Sequence, residues 1–269
     1  MAITGEKFLK KDSLPHMWCQ GCGNGVALSS LLRSFERLKY TPQDTVIVSG
    51  IGCWGKADDY IATNALHVTH GRALPFATGV KAVNPDLHVV VLMGDGDGVT
   101  IGGNHFIHAA RRNIDLTAIV VNNYNYGMTG GQFSATTPAD SITSTTAYGN
   151  PERDFDICTL AEAAGANFVG RSTIYHGRLM DNLIKEALSK KGFSLVEIIS
   201  PCPTHFGRKN KMKTAVDMLN LYKQNGVTKD KYEKMSPSEQ SNAILIGKLV
   251  DKDAPDFNTR YEEIRQKAI

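Results

Sequence analysis

The sequence lacks several features that would assign it to a class at once. The 269-residue chain has no run of roughly 18 apolar residues, so we expect no membrane span. Its net charge is only +3, which gives no overall electrostatic case for nucleic-acid binding. Residues 1–16 contain no apolar signal core, so we expect a cytoplasmic protein. The chain also lacks internal repeats and low-complexity segments, and its composition is that of an ordinary globular protein.

Cysteine is scarce, with five in the whole chain. In a reducing cytoplasm these thiols are expected to stay reduced, so metal ligation is a better interpretation than disulfides. Cys19 and Cys22 lie in WCQGCG, whereas Cys53 and Cys202 each follow a predicted strand. Four cysteines fit either a zinc ion or a [4Fe–4S] cluster, and the residues alone leave both open. Cys158, within DICTLAEAA, is predicted to be a small core residue.

Short apolar runs alternate with segments of helical periodicity. The runs are rich in Val and Ile, as in parallel strands buried on both faces, and are Thr45–Ser49, Leu87–Met93, Thr117–Asn122 and Ser194–Ile199. The helical segments are Gly25–Leu38, Gly102–Arg112, Asp156–Ala164 and Gly177–Lys190. This alternation predicts a doubly wound α/β fold with a mostly parallel sheet and ligands at the carboxyl ends of its strands. We assign residues 1–205 to this domain. The charged remainder, 206–269, is expected to be an extension that packs on the body or on a partner.

The densest chemical motif is MGDGDGVTIGGNH at residues 93–105, directly after a predicted strand. Its glycines expose backbone N–H groups that can cradle a phosphate. Asp95 lies between Gly94 and Gly96 and would repel a bare pyrophosphate, which argues against a simple dinucleotide fingerprint. A divalent cation removes the conflict, because Mg²⁺ binds a carboxylate together with phosphate oxygens. After 25 further residues, Asn122 and Asn123 end the next strand and supply oxygens suited to the same ion.

This spacing of GDG and NN resembles the signature of thiamine diphosphate enzymes. The resemblance implies that Asp95, the Asn123 side chain and the Asn125 backbone carbonyl hold Mg²⁺ against the diphosphate. The alternative for GDG alone is a tight turn. With the signature present, a [4Fe–4S] cluster becomes preferable to zinc, because an electron carrier complements a cofactor that forms carbanions.

A longer set of motifs, in consistent order over about residues 10–210, resembles the thiamine-binding β subunit of 2-oxoacid:ferredoxin oxidoreductases. The motifs are WCQGCG, SGIGC, HGRA, GDGDGVTIGGNH, RRN, NNYNYGMTGGQFSATTP and SPCPT. The resemblance implies oxidative decarboxylation of a 2-oxoacid with coenzyme A, which gives an acyl-CoA, CO₂ and two electrons for ferredoxin. It also implies an α subunit, paired as (αβ)₂, since no glutamate here lies in a motif that would promote ylide formation.

Matched by position, the resemblance implies roles for individual residues. The ligands of the [4Fe–4S] cluster would be Cys19, Cys22, Cys53 and Cys202. The residues lining the thiamine would be Ile51, Gly52, Cys53, Trp54 and His70; Gly96 and Asp97 would contact its diphosphate, and Gly127 and Met128 its ring. His70 is also a candidate catalytic group, and its alternative role is structural, opening the helix at Gly71. Trp54 departs from the small polar residue that many relatives have after the cysteine.

Lys56 matches a family position that is linked to substrate recognition. Its ammonium could pair with the distal carboxylate of 2-oxoglutarate, which favours that substrate over pyruvate or a broad set of 2-oxoacids. The alternative is that Lys56 faces the partner subunit. The basic run GRKNKMK, residues 207–213, could steer an acidic ferredoxin or could simply be solvated. A non-redox thiamine enzyme and a zinc-stabilised interaction module are the alternatives from other classes.

Overall fold

The fold is built on a seven-stranded sheet with the strand order β2-β1-β3-β4-β6-β5-β9. The computed structural model describes residues 5–212 and 214–268. The strands are β1 (Thr45–Ser49), β2 (Asn64–His67), β3 (His88–Gly94), β4 (Thr117–Asn122), β5 (Phe168–Thr173), β6 (Ser194–Ile199) and β9 (Gly247–Asp251), and β7 (Gly226–Val227) pairs separately with β8 (Ile244–Leu245). Only β9 runs antiparallel in the main sheet. The other six strands therefore end at one edge.

Helices cover both faces of this sheet. The helices of the described residues are α1 (Asn24–Arg37), α2 (Ala73–Val83), α3 (Gly103–Arg112), α4 (Ile157–Ala164), α5 (Gly177–Ser189), α6 (Ala215–Asn225), α7 (Lys229–Tyr232), α8 (Pro237–Gln240) and α9 (Phe257–Lys267), of which α1–α5 pack on the two faces. On β3, Val90 and Leu92 pack in the core under α1 and α5, whereas Val89 and Val91 pack in the core under α2, α3 and α4. Successive strand residues point to opposite faces, so both faces of the strand are apolar. The predicted doubly wound α/β class with a mostly parallel sheet is confirmed. None of the described helices is both long and apolar enough to cross a membrane.

The apolar runs predicted β1, β3, β4 and β6 and missed the other three strands of the main sheet, β2, β5 and β9, as well as the short pair β7 and β8. β2 (NALH) is wholly exposed, so it has no apolar run to detect. β5 (FVGRST) is wholly buried but contains Arg171, a charge that interrupts the apolar run. The predicted helices agree with α1, α3, α4 and α5 to within a residue or so at each end. Before α3, the π-helical segment Gly96–Ile101 follows the aspartate of the GDG motif.

The segment after residue 205 packs on the same body. Its strand β9 pairs with β5 and extends the main sheet. Met218 and Tyr222 of α6 are buried. The side-chain amide of Asn113 donates to the carbonyls of Ala254 and Pro255, at 3.0 and 3.1 Å. A division of the chain at residue 205 stays a prediction.

A buried carboxylate joins three neighbouring strands, β4, β6 and β5. Glu197 of β6 is 2% exposed and accepts hydrogen bonds from the Arg171 Nε at 2.6 Å and the Asn122 Nδ2 at 2.8 Å. The thiol of Cys158, which is buried in the core, also donates to Glu197 at 3.3 Å. Arg171 in turn donates to Asp156 at 2.5 Å. Since a buried charge needs a partner, Glu197 is the buried partner of the Arg171 guanidinium.

Replacing Glu197 with Ala should therefore destabilise the protein by about 3 kcal/mol or more, because Arg171 would lose its most buried partner. The free energy of unfolding, obtained from a urea titration followed by circular dichroism, is the measurement. As a control, Asp251→Ala breaks exposed pairs with Lys190 and Lys248 and should cost about 1 kcal/mol or less. Equal losses in the two variants would contradict a special role for the buried pair.

Candidate functional site

A pocket opens at the carboxyl edge of the sheet, between the segments that follow β1, β2, β3 and β4. Every residue predicted to bind the organic cofactor lines it. The lining residues are Ile51, Gly52, Cys53, Trp54, His70, Gly94, Asp95, Gly96, Asp97, Val121, Asn123, Asn125, Tyr126, Gly127, Met128 and Thr129. Parallel pairing brings these distant segments together, because the strands that carry them end side by side.

Three oxygen atoms converge around Asp95, immediately after β3. Asp95 is 2% exposed. The side-chain oxygen of Asn123 lies 3.3 Å from the Asp95 Oδ1 and 2.7 Å from the Asn125 carbonyl oxygen, and all three atoms are acceptors. A rotated amide would donate to both neighbours, whereas a cation would bind all three oxygens as they stand. This all-oxygen set fits the preference of Mg²⁺, and its members are the three oxygens predicted from the sequence.

Two hydroxyl groups that the sequence analysis missed complete the surroundings of Asp95. The Ser134 Oγ and the Thr136 Oγ1 donate to the Asp95 Oδ2 at 2.5 and 2.7 Å. Burial raises the pKa of Asp95, and these two hydrogen bonds oppose that shift. Oδ2 is held by these hydroxyls, whereas Oδ1 accepts from the Asn123 backbone N–H at 3.5 Å and is the oxygen available to a cation. Ser134 and Thr136 lie in the irregular segment FSATTP, and no periodicity marks them as neighbours of a strand end.

The first asparagine of the NN pair positions the turn. Asn122 donates to Glu197, and its Oδ1 accepts from the Tyr124 backbone N–H at 3.1 Å. Tyr124 has a left-handed backbone, with φ of 65°, and its carbonyl accepts from the Thr137 hydroxyl at 2.6 Å. These contacts hold the bend that points the oxygens of Asn123 and Asn125 toward Asp95.

Asp97 joins the loops after β1 and β2. Its Oδ1 accepts from the His70 Nδ1 at 2.5 Å, the Gly71 N–H at 2.7 Å and the Ile51 N–H at 3.3 Å. Its Oδ2 has no partner and lies so close to Gly50 that any side chain at that position would collide with it. The Asp97 carboxylate thus holds together the loops that follow β1 and β2. A contact between Asp97 and a diphosphate stays a prediction, and it would use the backbone N–H.

His70 is held in a defined orientation at the pocket wall. The carboxylate of Asp97 accepts from Nδ1, which assigns the proton to that nitrogen and leaves Nε2 for the pocket. The Tyr126 ring contacts His70 edge-on, with centroids 6.0 Å apart and planes at 82°. His70 therefore has the fixed geometry that acid–base work requires, and its catalytic role stays a prediction.

The four predicted cluster cysteines lie beside this pocket. The indole N–H of Trp18 donates to the Cys53 carbonyl at 2.6 Å, which ties the loop of Cys19 and Cys22 to the loop after β1. Gly21 of the same loop packs against Pro203, the neighbour of Cys202. A Cβ on Gly127 would lie 3.6 Å from the Cys202 sulfur. The sulfur-bearing loops and the pocket therefore share a wall.

The chemistry of these thiols fits a bound metal group. Burial, with the charges of the other cysteines, raises the pKa of Cys22 to about 12 and that of Cys53 to about 11. Such thiols ionise when a metal cation takes the place of the proton. Among residues 5–212 and 214–268, no three His, Cys, Asp or Glu side chains are close enough to share a single metal ion. A single zinc ion requires its ligands about 2.3 Å from one centre. A [4Fe–4S] cluster binds its cysteines on separate irons, so it does not need three thiols around one atom.

Lys56 and the basic run 207–213 lie outside the pocket lining. The Lys56 Nζ is 2.6 Å from Asp59, a partner that raises the pKa of Lys56. Its role toward substrate stays a prediction. In the basic run, Arg208, Lys209 and Lys211 are exposed beyond the Cys202 loop, and Lys213 lies outside the described residues.

Comparison with known proteins accords with this geometry. Residues 50–198 match the family described as thiamine pyrophosphate enzyme, C-terminal TPP binding domain. The chain is similar to the 2-oxoglutarate synthase subunit KorB of Methanocaldococcus jannaschii, with 44% identity over 261 residues that cover 97% of each chain. It is similar to the subunit of the same name from Archaeoglobus fulgidus, with 47% identity over 260 residues, 96% of this chain and 93% of the other.

A solved structure gives the same answer for the fold. With a TM-score of 0.87 and 29% identity, the chain is similar to a 2-oxoglutarate:ferredoxin oxidoreductase from Magnetococcus marinus that has 2-oxoglutarate, coenzyme A and succinyl-CoA bound. The match covers 98% of this chain and 90% of that one. The family predicted from the motifs is confirmed. This chain belongs to the thiamine pyrophosphate enzymes and, among them, to the family of the 2-oxoglutarate synthase KorB subunits.

Proposed function

We propose that this chain is the β subunit of a 2-oxoglutarate:ferredoxin oxidoreductase and carries thiamine diphosphate, Mg²⁺ and a [4Fe–4S] cluster. The reaction would convert 2-oxoglutarate, coenzyme A and two oxidised ferredoxins into succinyl-CoA, CO₂, two reduced ferredoxins and a proton, and would be reversible. One observation carries the proposal: Cys53 lines the cofactor pocket and is also one of the four clustered cysteines. The pocket and the electron carrier would thus be adjacent, as a redox decarboxylase requires.

Each part of the pocket has a separate task. Thiamine diphosphate supplies, when bound, a nucleophilic carbon and an electron sink for decarboxylation. Asp95, Asn123 and Asn125 would hold its Mg²⁺. Ile51 and Met128 form an apolar wall that would exclude water from the reacting atoms, and the His70 Nε2 would hold or accept a proton beside them.

The pocket is incomplete in this chain. No glutamate is among its lining residues, so the group that promotes ylide formation would come from an α subunit. Ile51 and Met128 are 38% and 41% exposed, an apolar rim that a partner would cover. We therefore propose an αβ unit paired as (αβ)₂.

Exposed Arg208, Lys209 and Lys211 beyond the Cys202 loop support an acidic ferredoxin as the electron acceptor. The four thiolate ligands suit the reducing cytoplasm.

The metal content tests the proposal first. Anaerobically purified chain should contain about four irons and four acid-labile sulfides, with a broad brown absorbance that dithionite bleaches. Cys202→Ser should lose most of the iron because it removes one ligand. The matched control is Cys158→Ser, which changes a thiol that bonds Glu197 and should keep the iron. Zinc in place of iron would contradict the proposed electron path.

The magnesium site makes a second prediction. Asp95→Asn should weaken thiamine diphosphate binding in Mg²⁺ by about 10- to 100-fold, because the diphosphate would lose its anionic link to the cation. Isothermal titration calorimetry at several Mg²⁺ concentrations measures this effect. Asp59→Asn alters an exposed carboxylate outside the pocket lining and should leave the affinity unchanged. Unaltered affinity in Asp95→Asn would remove Asp95 from the metal site.

Substrate choice gives a third prediction. With the α subunit present, Lys56→Ala should raise the KM for 2-oxoglutarate much more than the KM for pyruvate, because only 2-oxoglutarate has a distal carboxylate. The control, Asp59→Ala, frees the Lys56 ammonium from its partner and should not raise the KM for 2-oxoglutarate. Equal changes for both acids would instead favour a pyruvate or broad-specificity enzyme.

A further inference from the structure

Three deeply buried polar side chains lack hydrogen-bond partners. Asn24, Ser200 and Tyr222 are each 1% exposed. No partner is present for the Asn24 Nδ2 and Oδ1, the Ser200 Oγ or the Tyr222 hydroxyl. Buried polar groups in native proteins are nearly always hydrogen-bonded, so unpartnered ones indicate a missing ion, water or ligand.

All three lie around the four cysteines. Asn24 opens α1 directly after Cys22-Gly23, and its backbone N–H bonds the Cys22 sulfur. Ser200 is two residues before Cys202, and its hydroxyl lies against Gly23, where an added Cβ would collide with it. Helix α6, which carries Tyr222, packs on the turn that follows Cys202. After burial and Tyr124, the charge of Cys202 further raises the pKa of Tyr222.

We propose that the side chains of Asn24, Ser200 and Tyr222 donate hydrogen bonds to the sulfur atoms of the [4Fe–4S] cluster and so raise its reduction potential. This inference rests on the proposed function, which supplies the cluster. Thiolate and inorganic sulfur accept hydrogen bonds and do not donate them, so they match an amide N–H and two hydroxyl groups. Hydrogen bonds to these sulfurs stabilise the reduced cluster, which is the more negative state.

Helix α1 adds to the same effect. Its 14 residues begin at Asn24, so the positive end of its dipole faces the Cys22 sulfur through that residue's N–H. The protein would thus surround the cluster with partial positive charge while using no ionised side chain among these donors. The cluster would take electrons from the thiamine pocket more readily than one held in a purely apolar shell.

The midpoint potential of the cluster tests this inference. In the enzyme assembled with its α subunit, Tyr222→Phe removes one hydroxyl and keeps the ring, and the potential would be followed by an electron paramagnetic resonance redox titration. The double variant Tyr222→Phe/Ser200→Ala should disfavour reduction by on the order of tenfold, which is 59 mV for a one-electron couple. Tyr261→Phe, at a tyrosine that is 58% exposed, should leave the potential unchanged.

Iron content, measured on every variant, separates the possible failures. An unchanged potential with about four irons per chain would overturn this inference alone, and a water molecule would then be the partner of these groups. No cluster in the unmodified enzyme would overturn the proposed function and this inference with it. If Tyr222→Phe loses iron, Ser200→Ala alone decides the outcome, since it deletes a single oxygen atom. A lowered potential at full iron content supports the assignment, because a merely structural role would leave the potential unmoved.

Discussion

Parallel pairing of the central strands is the constraint on which the rest of the structure depends. β1, β3, β4 and β6 are hydrogen-bonded in one direction, so the residues that follow them meet at one edge of the sheet. The cofactor pocket, Cys53 and Cys202 all lie in segments that follow these strands, and the loop of Cys19 and Cys22 packs beside them. A one-residue slip in the register of a strand would move its side chains to the opposite face of the sheet. Such a slip would also separate Asp95 from Asn123. Packing of both cores thus fixes the geometry of the site.

Three buried carboxyl groups lie at or near the same edge, and each has different partners. Glu197 has a buried guanidinium, Arg171, as its partner. Asp97 receives two backbone N–H groups and His70. Asp95 has two hydroxyl groups but no cationic side chain, and it is the carboxylate left for a metal ion. The three acids are similarly buried, and their neighbours decide their roles. Glu197 forms an ion pair, Asp97 anchors two loops, and Asp95 is a candidate metal ligand.

The sequence predicted the parts of this protein that depend on local pattern. Apolar runs located β1, β3, β4 and β6, and motif spacing identified Asp95, Asn123 and Asn125 before their convergence was visible. It missed β2, whose exposure leaves no apolar signal, and β5, where Arg171 is neutralised by a residue 26 positions away. It missed Ser134 and Thr136 for the same reason, since tertiary folding alone brings them to Asp95. Lys56 pairs with Asp59 in this chain, and its expected role toward the substrate stays a prediction.

The absence of a side chain at Gly127 bears on the distance between the cofactor pocket and the Cys202 sulfur. Its Cα is so placed that a Cβ there would stand 3.6 Å from the Cys202 sulfur and 3.7 Å from the Asn125 side-chain oxygen. The backbone of Gly127, which has no side chain, thus lies between the Asn125 oxygen of the cofactor pocket and the Cys202 sulfur. Electron tunnelling weakens exponentially as the gap between donor and acceptor widens. A Cβ at this position would make ordinary van der Waals contacts with both atoms, so only a larger side chain would have to move the two walls apart and widen the gap.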